Sequence, residues 1–187
     1  MTLLDRLRDS LKASRVVRLG EYDYFLHPIT DGVPPADPAL VEEVVKALAQ
    51  AGDFDCDLIV AAEAMGFPLA ALLSLRTGKP YLFLRKKAYG LPGEVSVRQV
   101  TGYSAADLYM NDVRSGDRVV VVDDVISTGG TLRAIVEALR QVGAIVVDIL
   151  VVFDKMEDKA ALEDTLGIPI KTLLRVEVVS GKAVARP

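Results

Sequence analysis

The chain has 187 residues, of which 51% are hydrophobic and 26% are charged, and its 22 basic and 26 acidic residues give a net charge of -4. The composition excludes a disordered chain, and the length suffices for one domain with a substantial core. The net negative charge offers no overall attraction to nucleic acid or to an anionic membrane, so we expect neither as a partner.

Soft metal ligands are scarce in the sequence, since Cys56 is its one cysteine and His27 its one histidine. These two residues alone make neither a zinc site nor an intrachain disulfide. One thiol fits a cytoplasmic protein, and this is the location we expect. The N-terminal residues also lack the apolar run of a signal peptide, and no segment is long enough to span a bilayer.

Helix and strand patterns alternate along the chain after an N-terminal helix and a turn-rich crossing segment, which together occupy residues 1–36. Asp37 is placed to cap a helix that begins at Pro38 and stops at Gly52. The elements predicted after it are a strand at 57–62, a helix from Pro68 to before Gly78, a strand at 81–85, a mobile excursion at 86–112 compatible with a hairpin, a strand at 117–124, a helix carrying Leu132 to Leu139, a strand at 144–153, a helix near 158–166 and a strand at 170–179. This order favours one α/β domain over residues 1–187, with a central, mainly parallel sheet flanked by helices.

The segment VVVVDDVISTGGT, residues 119–131, joins a strand to a helix through acidic, hydroxyl and glycine residues. Backbone amides and hydroxyls of the Ser-Thr-Gly-Gly-Thr run suit a phosphate at the positive end of the helix. The two adjacent aspartates accept hydrogen bonds and suit the vicinal hydroxyls of a ribose. The segment therefore predicts a sugar-phosphate site at the carboxyl end of a strand.

Each fragment of this segment also has a purely structural interpretation, in which the aspartates form a solvated turn and the hydroxyl residues cap a helix. A nucleotide hydrolase that holds magnesium is a further alternative, but the chain lacks a GxxxxGK[ST] loop. A dinucleotide-binding oxidoreductase is disfavoured because no GxGxxG follows a strand.

Several motifs in a fixed order resemble the type I phosphoribosyltransferases. The segment at 119–131 resembles their ribose-phosphate motif, AEAMGFP at 62–68 their pyrophosphate loop, and RKK…LPGEV at 85–95 with TGYS…DLY at 101–109 the basic strand end and flexible hood of purine members. With YFLHPITDG near the start and IKTLLRVEV near the end, the similarity is closest to archaeal-type hypoxanthine/guanine phosphoribosyltransferases and spans nearly the whole chain. The resemblance implies the type I phosphoribosyltransferase fold, with a flexible hood loop.

The resemblance implies transfer of the 5-phosphoribosyl group from phosphoribosyl pyrophosphate (PRPP) to hypoxanthine or guanine, giving IMP or GMP and pyrophosphate. It also implies a homodimer and a Mg²⁺ ion held mainly by PRPP oxygens and water, without dedicated protein ligands. Adenine or xanthine transfer is a close alternative. A non-catalytic PRPP-sensing regulator is a more remote one, because such regulators carry a DNA-binding module and about 35 residues before the main domain are too few for it.

The resemblance also implies a role for individual residues. Asp123, Asp124 and the lid residue Tyr103 are assigned to catalysis. The residues assigned to the 5′-phosphate are Ser127, Thr128, Gly129, Gly130 and Thr131. Those assigned to pyrophosphate are Glu63, Ala64, Met65, Gly66, Arg85, Lys86 and Lys87. Lys155 is assigned to the 6-oxo group of the purine, and Phe153 or a neighbouring apolar residue to stacking on its ring.

Three positions depart from family patterns. Many hypoxanthine/guanine enzymes have an aspartate near the N7 atom of the base where this chain has Ser127, so proton handling there does not carry over. Adenine enzymes usually have arginine in place of Met65 and glutamate in place of Gly102, which weakens the adenine interpretation.

For His27 we expect a structural role or a place near the base pocket.

Overall fold

The structure is a computed structural model that describes residues 4–20, 22–100 and 105–186. The helices are α1 (Asp5–Ser10), α2 (Pro28–Asp31), α3 (Pro38–Ala51), α4 (Gly66–Thr77), α5 (Gly130–Gln141) and α6 (Lys159–Leu166). The strands are β1 (Arg15–Leu19), β2 (Tyr22–Leu26), β3 (Leu58–Ala62), β4 (Tyr81–Leu84), β5 (Val95–Val100), β6 (Ala105–Met110), β7 (Arg118–Ile126), β8 (Ile145–Asp154), β9 (Ile170–Val179) and β10 (Lys182–Arg186). None of these helices is both long and apolar enough to cross a bilayer.

A six-stranded sheet in the order β10-β9-β8-β7-β3-β4 forms the centre of the fold. The strands from β4 across to β9 are parallel, and β10 adds an antiparallel edge. In the middle of the sheet, Val121 of β7 lies opposite Val60 of β3 on one side and Ile149 of β8 on the other. The predicted α/β architecture, with a central, mainly parallel sheet flanked by helices, is confirmed.

The valine run of β7 is buried on both faces of the sheet, as expected for a central parallel strand. Val120 and Val122 belong to the core beneath α3 and α4. Val119 and Val121 belong to the core beneath α5 and α6. This packing fixes β7 between two layers of helices, so that its carboxyl end opens where the chain leaves the sheet.

Most predicted helices and strands are confirmed within a few residues. The side chain of Asp37 accepts a hydrogen bond from the Ala39 amide and caps α3, as predicted. The helix expected from Pro68 begins two residues earlier, at Gly66, and β7 continues to Ile126. The excursion at 86–112 contains an antiparallel hairpin of β5 and β6, while its mobility stays a prediction.

The crossing segment differs from its prediction, because it contains the antiparallel hairpin β1–β2 and the short helix α2. Most side chains of β1 are exposed, so this strand has no alternating apolar pattern to reveal it. Strand β10 was also not predicted. It is a short edge strand of five residues.

The buried face of α5 generates a test of the packing. Leu139 is fully buried, whereas Leu75 on α4 is 85% exposed. We expect Leu139→Ala to lower the free energy of unfolding by about 2–5 kcal/mol, since it leaves a cavity in the core. The matched control, Leu75→Ala, should change it by less than about 0.5 kcal/mol. Urea unfolding measures both, and equal effects of the two substitutions would contradict the packing.

Candidate active site

A cavity of about 410 Å³ lies at the carboxyl ends of β3 and β7. Because these strands are parallel neighbours, the loops that follow them meet at the same edge of the sheet. All five predicted 5′-phosphate residues line the cavity, together with Asp123, Asp124 and part of the loop at 63–66. The cavity thus brings together segments that lie about 60 residues apart in the sequence.

The loop from Ser127 to Thr131 connects β7 to the N-terminus of α5. Gly129 has a φ of 75°, and a Cβ atom at this position would lie 2.6 Å from the side chain of Leu162. Glycine is therefore required here by both the left-handed backbone and the close packing. The amide of Gly130 donates to Thr128 Oγ1 at 3.4 Å. This loop places hydroxyl groups at the positive end of a helix of 12 residues, where an anion is stabilised.

Asp123 and Asp124 are both buried at the end of β7, with exposed fractions of 5% and 9%. Asp123 Oδ1 accepts a hydrogen bond of 3.0 Å from the amide of Asp124. Burial raises the pKa of Asp123 to about 6. Burial, and then the charge of Asp123, raises the pKa of Asp124 well above its usual value. The free pocket therefore disfavours two full negative charges, and a cation or hydroxyl donors bound there would favour them.

The predicted pyrophosphate loop follows β3 and contacts the opposite side of the cavity. Glu63, Ala64 and Met65 line it, and the Glu63–Ala64 peptide bond is cis. Gly66 is buried beneath them, where a Cβ atom would lie 3.1 Å from the carbonyl oxygen of Val122. The absence of a side chain at Gly66 lets the loop approach β7 closely.

Lys86 is the one predicted basic residue among those that line the cavity. Its amide donates to Glu63 Oε2 at 3.0 Å, which joins the end of β4 to the loop after β3. Lys87 is exposed and is not part of the lining. Arg85 points elsewhere, because its guanidinium is paired with Glu94, so the structure does not bring it into the pocket.

The two residues predicted to bind the purine lie in different environments. Lys155 lies beside a small hollow next to the main cavity, and its Nζ donates to Tyr22 Oη at 2.9 Å and to the Asp23 carbonyl at 2.8 Å. Phe153 is fully buried and packs edge-on against Phe25 and His27. The structure therefore corrects the stacking assignment, since no face of the Phe153 ring is open to a ligand. Tyr103 lies outside the described residues.

Five further polar residues line the cavity and were not predicted from the sequence: Tyr22, Tyr24, Thr30, Asp31 and Gln99. The first four come from the N-terminal segment that appeared to be only a crossing segment. Asp31 accepts hydrogen bonds from Tyr24 Oη at 2.7 Å and Thr30 Oγ1 at 2.5 Å. No local pattern marks these residues, because their place in the pocket depends on where β2, α2 and β5 pack.

His27 has a structural role. Its Nδ1 accepts from the amide of Ile29 at 3.1 Å and its Nε2 is 2.8 Å from Ser10 Oγ. Burial lowers the pKa of His27 to about 4, against the opposing effect of the Asp31 charge. The ring is therefore neutral near pH 7, and it caps α2 rather than facing the cavity.

The described residues contain no cluster of three or more side chains arranged to enclose a metal ion. The cavity nevertheless offers hard oxygen donors from Glu63, Asp123 and Asp124. A Ser-Thr-Gly-Gly-Thr loop beside two buried carboxylates, at the carboxyl edge of a parallel sheet, defines an α/β protein whose cavity suits a sugar phosphate.

Comparisons with known proteins identify the family. The profile of the phosphoribosyl transferase domain matches residues 37–166. A hypoxanthine/guanine phosphoribosyltransferase of Methanothermobacter thermautotrophicus is 49% identical over 180 residues, which are 96% of this chain and 93% of that protein. One of Methanocaldococcus jannaschii is 49% identical over 179 residues, 95% of this chain and 98% of that protein. This chain therefore belongs to the phosphoribosyltransferase family.

A solved structure is also similar over most of its length. The adenine phosphoribosyltransferase of Thermoanaerobacter pseudethanolicus matches with a TM-score of 0.75 and 26% identity, covering 90% of this chain and 99% of that chain. The likeness extends beyond the residues matched by the domain profile and includes the same overall fold.

The burial of Asp123 beside Asp124 predicts a pH-dependent effect on the free energy of unfolding. The pKa of Asp123 is higher in the folded protein than in the unfolded chain, so the neutral carboxyl favours folding. This stabilisation is fully present below the unfolded pKa and is lost as the pH rises through about 6, where the buried group ionises. Asparagine stays neutral at every pH, so we expect Asp123→Asn to stabilise the ligand-free protein by about 2 kcal/mol at about pH 8 and by little at about pH 4.

Denaturant unfolding across this pH range measures the effect. Asp164→Asn, at an exposed position of α6, is the matched control and should give no such pH dependence. A destabilised Asp123→Asn variant at about pH 8 would contradict the assignment of unfavourable burial to this carboxylate.

Proposed function

We propose that this chain transfers the 5-phosphoribosyl group from PRPP to hypoxanthine or guanine, giving IMP or GMP and pyrophosphate in purine salvage. The observation that carries the proposal is one cavity in which a phosphate loop adjoins two buried carboxylates. The curated relatives at 49% identity, which are hypoxanthine/guanine phosphoribosyltransferases, support the same reaction.

The two halves of the cavity match the two ends of a ribose 5-phosphate. The loop from Ser127 to Thr131 would hold the 5′-phosphate through backbone amides and hydroxyls. Asp123 and Asp124 would accept hydrogen bonds from the two ribose hydroxyls. Such donors favour the ionised carboxylates, so sugar binding lowers the penalty that burial imposes on the pair.

The opposite side of the cavity suits the pyrophosphate of PRPP. Lys86 supplies a positive charge, and the loop at 63–66 supplies backbone groups beside it. The oxygen donors of Glu63, Asp123 and Asp124 fit a hard cation, which would take its other ligands from the substrate and from water. When bound, Mg²⁺ neutralises charge on the departing pyrophosphate.

The carboxylates would also stabilise the transition state of the reaction electrostatically. Displacement of pyrophosphate gives the ribose oxocarbenium character, and negative charge nearby stabilises that state more than the neutral sugar. Asp123 and Asp124 lie where the ribose would bind, in surroundings with little water. Positioning and electrostatics thus account for the catalysis without a protein nucleophile.

Lys155 is proposed to select the base. Its ammonium group has three N–H donors and no acceptor. The hydroxyl of Tyr22 and the carbonyl oxygen of Asp23 accept hydrogen bonds from it. A 6-oxo group accepts a hydrogen bond from such a donor, whereas the 6-amino group of adenine does not. The Ser127 hydroxyl, which lines the same cavity, would donate a hydrogen bond close to the base.

Three further features belong to the proposal. The excursion at 86–112, with Tyr103, acts as a lid whose closure excludes water from the reacting sugar. The enzyme is a homodimer, and it works in the cytoplasm. The lid and the homodimer follow from the family resemblance, and the location follows from the single thiol, Cys56.

An assay with four bases tests the proposed reaction. Purified protein is incubated with PRPP, Mg²⁺ and hypoxanthine, guanine, xanthine or adenine, and base consumption is followed spectrophotometrically. We expect hypoxanthine and guanine to be converted with a kcat/KM at least about 10-fold above that of adenine. Conversion of adenine alone would make this an adenine enzyme, and conversion of no base would overturn the proposed function.

The role of Lys155 is tested by Lys155→Met, which keeps most of the aliphatic stem and removes the charge. We expect kcat/KM for hypoxanthine to fall by about 10-fold or more, as for loss of a hydrogen bond from a charged donor, with the KM for PRPP changing by less than about 3-fold. Lys46→Met, at an exposed position of α3, is the control and should be silent. Unchanged hypoxanthine kinetics in Lys155→Met would remove the assignment.

A further inference from the structure

Gln99 is a polar side chain on the buried face of the β5–β6 hairpin. It shares this face of β5 with Val97, while the neighbouring side chains of Arg98 and Val100 are exposed. Val97 packs into the apolar core beneath α5 and α6. An amide group buried on such a face destabilises the fold unless it finds a hydrogen-bond partner. The partner of Gln99 therefore bears on why a glutamine occupies this position.

The partner of Gln99 is Thr131, which belongs to a different part of the fold. Gln99 Nε2 donates to Thr131 Oγ1 at 2.8 Å. Thr131 is the second residue of α5 and the last residue of the loop that follows β7. Both side chains line the main cavity. The hydrogen bond thus joins the β5–β6 hairpin directly to the loop assigned to the 5′-phosphate.

The direction of this hydrogen bond determines where the Thr131 proton can point. A hydroxyl group has one proton to donate and two lone pairs that accept. Because Thr131 Oγ1 accepts from Gln99, its own proton stays available for an acceptor elsewhere. A carboxylate at position 99 would instead accept that proton and turn it away from the cavity. At the N-terminus of α5 the favoured acceptor is an anion.

We propose that Gln99 is a positioning residue for the 5′-phosphate, and that its hydrogen bond to Thr131 Oγ1 directs the Thr131 proton toward the bound phosphate. The phosphate site is then completed by a residue of the hairpin, in addition to the loop at 127–131. The inference deepens the proposed function and rests on its phosphate half, but it does not depend on which base is transferred.

Ribose 5-phosphate is the probe, because it carries the 5′-phosphate and no base. Its affinity is measured by phosphorus NMR titration of wild type, Gln99→Met, Thr131→Val and the double variant. Methionine keeps an unbranched side chain that suits the apolar face, and valine keeps the shape of threonine. We expect each single variant to weaken binding by about 5-fold or more, since a hydrogen bond to a charged group is lost or misdirected.

The double variant shows whether Gln99 acts through Thr131. Once the hydroxyl is gone, Gln99 has nothing to direct, so the double variant should bind no more than about 2-fold more weakly than Thr131→Val. Losses that multiply in the double variant would show that Gln99 acts independently of Thr131. That result, or unchanged binding by Gln99→Met, would overturn the proposal.

The bound phosphate itself provides a readout that a mere packing role would not move. A hydroxyl that donates to the phosphate stabilises the dianion and so lowers the second pKa of the bound ligand. We expect the phosphorus resonance of bound ribose 5-phosphate to titrate with a higher pKa in Gln99→Met and in Thr131→Val than in wild type. A wild-type pKa in Gln99→Met, with weaker binding, would reduce Gln99 to a wall residue and contradict the inference.

Gln141→Met is the matched control, since it makes the same substitution at the other end of the same helix. Gln141 is exposed at the last residue of α5, and its Nε2 donates to Glu137 Oε1 at 3.4 Å. We expect its affinity for ribose 5-phosphate to stay within about 2-fold of wild type, because an exposed hydrogen bond far from the cavity contributes little. A loss as large as in Gln99→Met would remove the specific role of Gln99.

The inference and the proposed function fail in different ways. Wild-type protein that binds ribose 5-phosphate with the expected losses in the variants, yet converts no purine, would uphold the role of Gln99 and remove the proposed reaction. Wild-type protein that converts hypoxanthine, with multiplying losses in the double variant, would uphold the reaction and remove the role of Gln99. Wild-type protein that does not bind ribose 5-phosphate would overturn the phosphate site on which both rest.

Discussion

Two adjacent carboxylates, Asp123 and Asp124, are buried side by side at the end of the central strand, and the pocket is organised around their charge. Placing like charges together with little water is unfavourable, as the raised pKa values of both groups indicate. The surrounding sheet nevertheless holds them there, because β7 is fixed between β3 and β8. A ligand that brings hydroxyl donors, a metal ion or a developing positive charge gains the interaction that the free protein lacks. Burial of this pair therefore lowers the stability of the ligand-free protein, as is common where a site is preorganised for a ligand.

The order of strands explains why distant segments form one site. The loop after β3 and the loop after β7 leave neighbouring parallel strands at the same edge, so both loops line one cavity. Gly66 and Gly129 allow the close approaches on the two sides. The hairpins β1–β2 and β5–β6 lie outside this frame, and they add Tyr22 and Gln99 to the walls. The parallel sheet therefore positions the two loops that line the cavity, and the two hairpins add further residues to its walls.

The sequence was most informative where one local pattern determines both structure and chemistry. The valine run of β7, the two aspartates after it and the Ser-Thr-Gly-Gly-Thr loop are contiguous, so the strand, the helix that follows and the lining of the cavity between them could be predicted together. It was least informative where a side chain's direction depends on a distant partner. Phe153 is covered by Phe25 of a hairpin that no pattern revealed and by His27, which caps α2. Arg85 is turned away from the cavity by its ion pair with Glu94, which lies beyond a loop. Residue type alone does not show whether a cationic side chain faces the cavity or an ion-pair partner within the fold.

The account depends most on two assignments: the loop from Ser127 to Thr131 is assigned to the 5′-phosphate, and Asp123 and Asp124 are assigned to the ribose hydroxyls. A crystal structure with GMP bound tests it directly. The account predicts that the phosphate oxygens accept hydrogen bonds from the loop between Ser127 and Thr131, and that both ribose hydroxyls donate to the carboxylates of Asp123 and Asp124. A phosphate bound away from this loop, or ribose hydroxyls that contact neither carboxylate, would contradict it.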